Sequence, residues 1–101
     1  MPKKCSEAEL EAVLMAIFDA TGRSLNGHVP IEAITKKARR HLDAKTDPAR
    51  CLKELAAKGY AQEHPTRGST TYQLTRCGLT AANQILNSSS EEYDLSVKCG
   101  A

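Results

Sequence analysis

The segment KGYAQEHPTRGSTTYQLT, residues 58–75, restricts the possible folds of this chain more than any other part of it. Two short runs flank Pro-Thr-Arg-Gly, a composition typical of a turn. In the second run, Thr70, Tyr72 and Leu74 alternate with Thr71 and Gln73, as β-branched and aromatic residues do along a strand. The segment therefore predicts a β-hairpin that directly follows a helix.

The rest of the chain shows the apolar spacing i, i+3, i+4 and i+7 of amphipathic helices. This spacing predicts four helices, at residues 7–20, from about 31 to 42, 48–58 and 76–87. Ser6 and Glu9 form a capping box for the first helix. Asp47 followed by Pro48 is a typical start for the third helix, and Thr75 is placed to cap the fourth.

Length and composition favour one domain. The chain has 101 residues, of which 41% are hydrophobic and 26% charged, and no apolar run approaches the ~20 residues that a membrane span needs. The fold class expected is α+β, mostly helical, with a short strand at His28 and Val29. We expect residues 1–87 to form the domain and the serine-rich, acidic residues 88–101 to form a flexible polar tail. The absence of a signal-peptide pattern favours a cytoplasmic location.

Charge is unevenly distributed along the sequence. Residues 23–78 contain eleven Lys or Arg against five Asp or Glu, whereas both ends of the chain are net acidic. On the second helix, Lys36, Lys37 and Arg40 lie opposite the apolar stripe, so that helix has a strongly basic outer side. A basic middle between acidic ends indicates an anionic partner.

The four cysteines, Cys5, Cys51, Cys77 and Cys99, contain no C-x-x-C pair, and the three histidines are equally dispersed. Neither spacing is typical of a zinc site, and we expect no metal and no cofactor. Without a signal peptide, reduced thiols are favoured over disulfides, with Cys51 and Cys77 acting as small hydrophobic residues. An oxidant-sensing thiol is the alternative to this structural interpretation.

The order helix, short strand, helix, helix, strand, turn, strand, helix resembles the winged helix-turn-helix family over about residues 7–87. The stretch LKELAAKGYAQEHPTRGSTTYQLTRCG is similar to the L-x-x-L-x-x-x-G-[YLI]…Y-x-L-T-x-x-G signature of small MarR- and PadR-type regulators. The resemblance implies a three-helix core, a small antiparallel sheet with a wing hairpin, and an additional C-terminal helix. It also implies a small transcriptional regulator that binds specific sequences in double-stranded DNA.

The resemblance places the third helix, at about residues 47–58 with its Asp47 cap, in the DNA major groove, and the wing, at about residues 64–70, on the backbone or in the minor groove. Arg50 and Lys53 fall at recognition-helix positions, and Arg67 lies near the wing tip. Arg50 would contact either a guanine or a phosphate, and the basic second helix would hold phosphates. The complete set of expected DNA contacts is Lys36, Lys37, Arg39, Arg40, Lys45, Thr46, Arg50, Lys53, Arg67, Ser69, Thr70 and Thr71.

A homodimer is expected, because two copies double the phosphate contacts and read a two-fold related site. The apolar residues expected at its interface are Leu79, Ala82, Ile85 and Leu86, together with the face formed by Ala12, Met15 and Ala16. Tyr60 and Tyr72 are expected to pack within the domain and across the hairpin rather than to stack on bases.

Two other classes of function remain for comparison. The same fold is often used as a protein–protein interaction module without DNA-binding activity. Enzyme function is not expected, because the sequence has no G-x-S-x-G nucleophile motif, phosphate-binding glycine loop, metal-ligand spacing or paired carboxylates.

Overall fold

The computed structural model describes residues 5–22, 25, 27–42, 45–65, 67–68, 70–88 and 99. The elements in chain order are α1 (Glu7–Ala20), β1 (Val29–Pro30), α2 (Ile31–Ala38), a short 3₁₀ helix (Arg39–His41), α3 (Pro48–Ala57), β2 (Ala61–Pro65), β3 (Thr70–Leu74) and α4 (Arg76–Ser88). The architecture is therefore α+β and mostly helical, with three strands in one antiparallel sheet of order β1-β3-β2.

Helix α1 begins and ends as its sequence predicts. The Ser6 hydroxyl accepts a hydrogen bond from the Glu9 amide, and the Glu9 carboxylate accepts one from the Ser6 amide, which completes the capping box. Gly22 follows the helix with a φ of 69°, the left-handed conformation that glycine adopts at helix ends. The apolar stripe of α1 is buried in the core and consists of Leu10, Val13, Leu14, Ile17 and Phe18.

Helices α2 and α3 pack against α1 and each other. Helix α2 starts at Ile31 as predicted, but its α-helical part ends at Ala38 and continues as the 3₁₀ helix. Helix α3 starts where Asp47 and Pro48 predict, with the Asp47 carboxylate accepting from the Ala49 amide at 3.1 Å. Its buried side chains are Pro48, Cys51, Leu52 and Leu55.

Strand β3 is the centre of the sheet. It pairs with β2 from Ala61 opposite Leu74 to Pro65 opposite Thr70. On its other edge β3 pairs with β1, in which Val29 is opposite Tyr72. Strand β1 lies one residue later in the sequence than the predicted strand at His28 and Val29. Pro30, the next residue of β1, has no amide hydrogen to extend this ladder, so the strand stops after two residues.

The two hairpin tyrosines belong to the core. Tyr60 and Tyr72 are each 2% exposed, which confirms that they pack within the domain. They do not face each other across the hairpin: Tyr60 precedes β2, and Tyr72 is opposite Glu63. The Tyr72 hydroxyl donates to the Glu63 carboxylate at 2.9 Å.

A compact junction connects the end of α3, the end of β3 and the start of α4. The Thr75 hydroxyl donates to the Gly59 carbonyl at 2.6 Å and accepts from the Gly78 amide at 3.0 Å. The Thr75 amide also donates to the Tyr60 carbonyl at 3.2 Å. Thr75 therefore caps α4, as predicted, and ties it to the chain that leaves α3.

The expectation of reduced thiols is wrong. Cys5 is joined to Cys51, and Cys77 is joined to Cys99, so the protein has no free cysteine. The paired residues are 46 and 22 positions apart in sequence. Such separations leave no local pattern, and the pairs form only because folding brings both chain ends to α3 and α4.

Two further predictions concern the ends of the chain and its environment. Helix α4 includes Ser88, one residue of the predicted tail, and Cys99 is fastened to α4; the rest of residues 88–101 lies outside the described residues. Among the helices of the described residues, none is long and apolar enough to cross a membrane.

Gly78 provides a test of the junction. A Cβ atom at this position would overlap the carbonyl oxygen of Tyr60, a backbone atom that cannot move alone. We expect Gly78→Ala to lower the free energy of unfolding by about 1–3 kcal/mol, measured by urea denaturation. Helix propensity alone predicts the opposite sign, a gain of about 1 kcal/mol.

Gly68→Ala is the matched control, because a Cβ at exposed Gly68 would meet nothing within 4 Å. This variant should change the stability by no more than about 0.5 kcal/mol. Equal stability of the two variants would mean that the backbones at Tyr60 and Gly78 are not in close contact.

Tyr72 provides a test of the sheet. Burial, the hydrogen bond to Glu63 and the negative charge of Glu63 raise the pKa of Tyr72 from 10 to about 12. The folded state therefore favours the neutral phenol, and this contribution to stability is complete below pH 10 and is lost between pH 10 and 12.

Phenolate absorbance during alkaline titration should show one tyrosine with a pKa near 12 in the folded protein. We expect Tyr72→Phe to remove this component and Glu63→Gln to lower its pKa, because the charge of Glu63 is removed while the burial of Tyr72 remains. A Tyr72 that titrates at its ordinary value would show that its hydroxyl is exposed to water.

Candidate nucleic-acid interface

Helix α3 presents one polar side because its other side is in the core. Cys51, Leu52 and Leu55 are fully buried, whereas Lys53 is exposed and Arg50 is half-buried. Arg50 is thus less exposed than Lys53, although both lie on the polar side of the helix.

The chain ends hold α3 at two places. Cys5 is joined to Cys51, and its amide donates to the Glu54 carboxylate at 2.8 Å. At the other end, the Cys99 amide donates to the carbonyl of Lys58, the C-cap residue of α3, at 2.7 Å. Helix α3 is therefore held in place by the burial of its apolar side, by the Cys5–Cys51 disulfide and by hydrogen bonds from the Cys5 and Cys99 amides.

The β2–β3 hairpin extends next to α3 in sequence and contacts it. Arg67 and Gly68, at the hairpin tip, are exposed. Thr70 and Thr71 are half-buried in β3, and the Thr71 hydroxyl donates to the His64 carbonyl at 3.2 Å. Ser69, the remaining residue of the hairpin expected to contact DNA, lies outside the described residues.

The cations of the second helical segment lie around one concave surface, which we call the basic groove. Lys36, Lys37, Arg39 and Arg40 are all exposed. The basic groove has a volume of about 470 Å³ and is lined by Asp19, Ala33, Lys36, Lys37, Arg40 and His41. Three of the expected contacts are thus brought together, whereas none of the described residues of α3 or of the hairpin lines this groove.

Asp19 reduces the positive charge of the basic groove. Its carboxylate is 3.6 Å from the Lys37 ammonium group, and both side chains are about half-exposed or more. An exposed ion pair of this kind adds little to stability, but it partly neutralises Lys37. The unopposed charge of the groove therefore comes mainly from Lys36 and Arg40.

Two of the expected DNA contacts, Lys45 and Thr46, lie in the connection between α2 and α3, and their surroundings differ. Lys45 is exposed, whereas Thr46 is half-buried and its hydroxyl donates to the Glu9 carboxylate. This hydrogen bond, followed by that from the Ser6 amide, lowers the pKa of Glu9. Thr46 is accordingly used to attach the connection before α3 to the first turn of α1.

A second concave surface, which we call the apolar groove, adjoins the basic groove and shares Asp19, Lys37 and His41 with it. It has a volume of about 510 Å³ and is lined by Ala8, Glu11, Ala12, Met15, Ala16, Phe18, Asp19, Lys37, His41 and Leu86. Leu86 is 45% exposed, the only large hydrophobic residue among the described ones with such exposure.

The residues expected at a dimer interface differ in their exposure. Ala82 and Ile85 are buried within the domain, so they are not available to a partner. Ala16 is also buried, although it lines the groove, and Leu79 is partly buried against the core and lies outside the groove. Leu86, Ala12 and Met15 remain accessible and line the apolar groove.

Two histidine rings lie close together beside the sheet. The rings of His28 and His64 are 4.3 Å apart, and His64 Nε2 is 2.7 Å from the Gln73 side-chain oxygen. Because the Gln73 amide nitrogen donates to the Leu25 carbonyl, its oxygen is the acceptor and His64 Nε2 carries a proton. Within the described part of the chain, no three His, Cys, Asp or Glu residues are grouped as metal ligands.

His41 is the site residue that the sequence analysis missed. It lies at the end of the basic groove, four positions after Lys37, and i, i+4 spacing from a basic residue could have identified it. No spacing in the sequence could have predicted that His41 lies near Asp19, since α1 and the 3₁₀ helix approach each other only in the folded chain.

No known family matches this chain in a comparison with protein-family models, and no curated protein or solved structure is significantly similar to it.

Proposed function

We propose that the protein is a winged-helix regulator that binds specific sequences of double-stranded DNA, with α3 in the major groove and the β2–β3 hairpin on the backbone. The observation that carries this proposal is the position of α3. One side of the helix is fastened into the core, while the other carries Lys53 and Arg50 and leads directly to an exposed hairpin tip with Arg67.

The order of elements supports the proposed fold. Three helices, a short edge strand between the first two, a hairpin and a final helix are the parts that a winged helix-turn-helix requires. In this arrangement α3 enters the groove, because an α-helix fits the width of the major groove and presents side chains to base edges. Arg50 would then contact a guanine or a phosphate, and Lys53 a phosphate or base.

The remaining cations would hold the DNA backbone. Lys36 and Arg40, with Arg39 and Lys45, offer charge to phosphates and release the counterions that drive binding. The hydroxyls of Thr46, Thr70 and Thr71, and that of Ser69, would add neutral hydrogen bonds where their own partners leave capacity.

We further propose that the regulator is a homodimer and that the apolar groove receives a second copy of the same chain. The lining of the groove supports this occupant. Exposed Leu86 of α4 shares the groove with Ala12 and Met15 of α1, and Glu11 and the Asp19–Lys37 ion pair line the same groove. A two-fold axis through the groove would bring the apolar residues of the two copies together and bury Leu86.

The alternative function is a protein–protein interaction module of the same fold without DNA-binding activity. The apolar groove with exposed Leu86 is the observation that favours it. The two functions differ in one measurable property, because only the regulator binds duplex DNA at low salt.

A salt series of fluorescence-anisotropy titrations with unrelated and selected duplexes tests the DNA proposal. Affinity should fall steeply with salt, with a slope of about 0.9 per phosphate contact on logarithmic axes. We expect the double variant Lys36→Gln, Arg40→Gln to reduce the slope by about 1.8, since two contacts are lost, without changing the melting temperature. Lys37 is retained because it is paired with Asp19 and also lines the apolar groove.

Arg76→Gln is the control for charge loss, because Arg76 is exposed at the start of α4 and belongs to neither groove. Its slope should match that of the wild type. A double variant that binds like the wild type would reject the basic groove as the phosphate surface. If the wild type binds no duplex at low salt, DNA binding is rejected and the interaction module is favoured.

Analytical ultracentrifugation tests the dimer. We expect Leu86→Glu to raise the dimer dissociation constant at least about tenfold, because a leucine that loses its burial forfeits about 1.5–3 kcal/mol. Met15→Glu, on α1 in the same groove, should have the same effect.

Asn87→Glu is the matched control, since Asn87 is the exposed neighbour of Leu86 and does not line the groove. It should leave the dissociation constant unchanged. A monomeric wild type, or Leu86→Glu and Asn87→Glu variants with equal effects, would show that a second copy does not occupy this groove.

A further inference from the structure

We propose that the Cys77–Cys99 disulfide is a thiol-exchange site, at which a dithiol reductant releases Cys99 from the end of α3 while the Cys5–Cys51 disulfide remains intact. The two disulfides have different surroundings, and the difference favours reaction at only one of them.

Access to sulfur is the first difference. Cys51 is 0% exposed, and the core residues Leu52 and Leu55 follow it on the same helix. Cys77 and Cys99 are both partly exposed. Because exchange begins with the approach of a thiolate to one sulfur atom, a bond between two partly exposed residues is easier to attack than the Cys5–Cys51 bond, in which one residue is fully buried.

The leaving sulfur is the second difference. Cys77 lies in the first turn of α4, where the helix dipole stabilises negative charge. Attack on the Cys99 sulfur would therefore expel a stabilised thiolate at Cys77. Attack on the Cys5 sulfur would instead create a thiolate at Cys51, inside the apolar core, where an unpaired charge is strongly disfavoured.

The exchange is chemically balanced with a dithiol as the reductant. One thiolate of the dithiol forms a mixed disulfide with Cys99 as the Cys77–Cys99 bond breaks, and Cys77 leaves with the electron pair and takes a proton from water. The second thiolate of the reductant then displaces Cys99. The net result is one oxidised cyclic disulfide and two protein thiols.

The release changes the end of α3. The Cys99 amide donates to the Lys58 carbonyl at 2.7 Å, and Cys99 packs closely against Gly59. Both contacts depend on a residue that α4 holds through Cys77. After reduction the last turn of α3 loses them, while its middle remains joined to Cys5.

Alkylation kinetics test the selectivity. The oxidised full-length chain is treated with dithiothreitol under native conditions, quenched at intervals, alkylated and digested, and each cysteine is followed by mass spectrometry. Cys77 and Cys99 should become alkylated at least about ten times faster than Cys5 and Cys51. In guanidinium the difference should disappear, because it depends on the folded environment. Equal rates in the folded protein, or four free thiols in the air-oxidised protein, would overturn the proposal.

Hydrogen exchange tests the release. After selective reduction, the amides of residues 58–60 should lose protection, while those of β3 remain protected as an internal reference. The variant Cys77→Ser, Cys99→Ser should show the same pattern without reductant. Unchanged protection at residues 58–60 in both samples would refute the release. Neither measurement involves DNA, so its outcome is independent of the proposed regulator function.

Discussion

The close approach of two backbones at Tyr60 and Gly78 determines how the second half of the protein is arranged. Gly78 has no side chain, so the first turn of α4 can lie directly against the Tyr60 carbonyl. Thr75 then connects α4 to Gly59 and Tyr60 by three hydrogen bonds. The end of α3, the return of the hairpin and the start of α4 are consequently connected to one another, and these contacts position the hairpin beside α3.

Helix α3 itself is held by two different kinds of interaction. The burial of Cys51, Leu52 and Leu55 orients the helix, and disulfides at each chain end attach residues remote in sequence to it or to α4. For closed loops of 46 and 22 residues, the chain-entropy model assigns each disulfide about 3–4 kcal/mol. That is a large share of the ~5–15 kcal/mol typical of a whole domain. A redox environment that reduces either bond therefore changes how firmly α3 is held.

The adjoining grooves divide the basic surface into two parts. Lys36 and Arg40 line only the basic groove, whereas Lys37 and His41 also line the apolar groove together with Glu11. Charges of both signs around apolar residues suit a protein partner, and a predominantly positive surface suits a polyanion. The regulator proposed above would need both kinds of surface, and α2 contributes to each.

The helices and the hairpin followed from local patterns in the sequence. The capping box at Ser6 and Glu9, the Asp47-Pro48 start and the Thr75 cap each concern residues within a few positions of one another, so the bounds of α1, α3 and α4 were predicted closely. The exposed cations of α2 followed from the same periodicity. Packing decided what these patterns do not encode: the two disulfides, the pairing of Lys37 with Asp19 and the partial burial of Arg50. Periodicity reports which side of an element is apolar, whereas contacts between elements depend on how those elements pack, and that arrangement exists only in the folded chain.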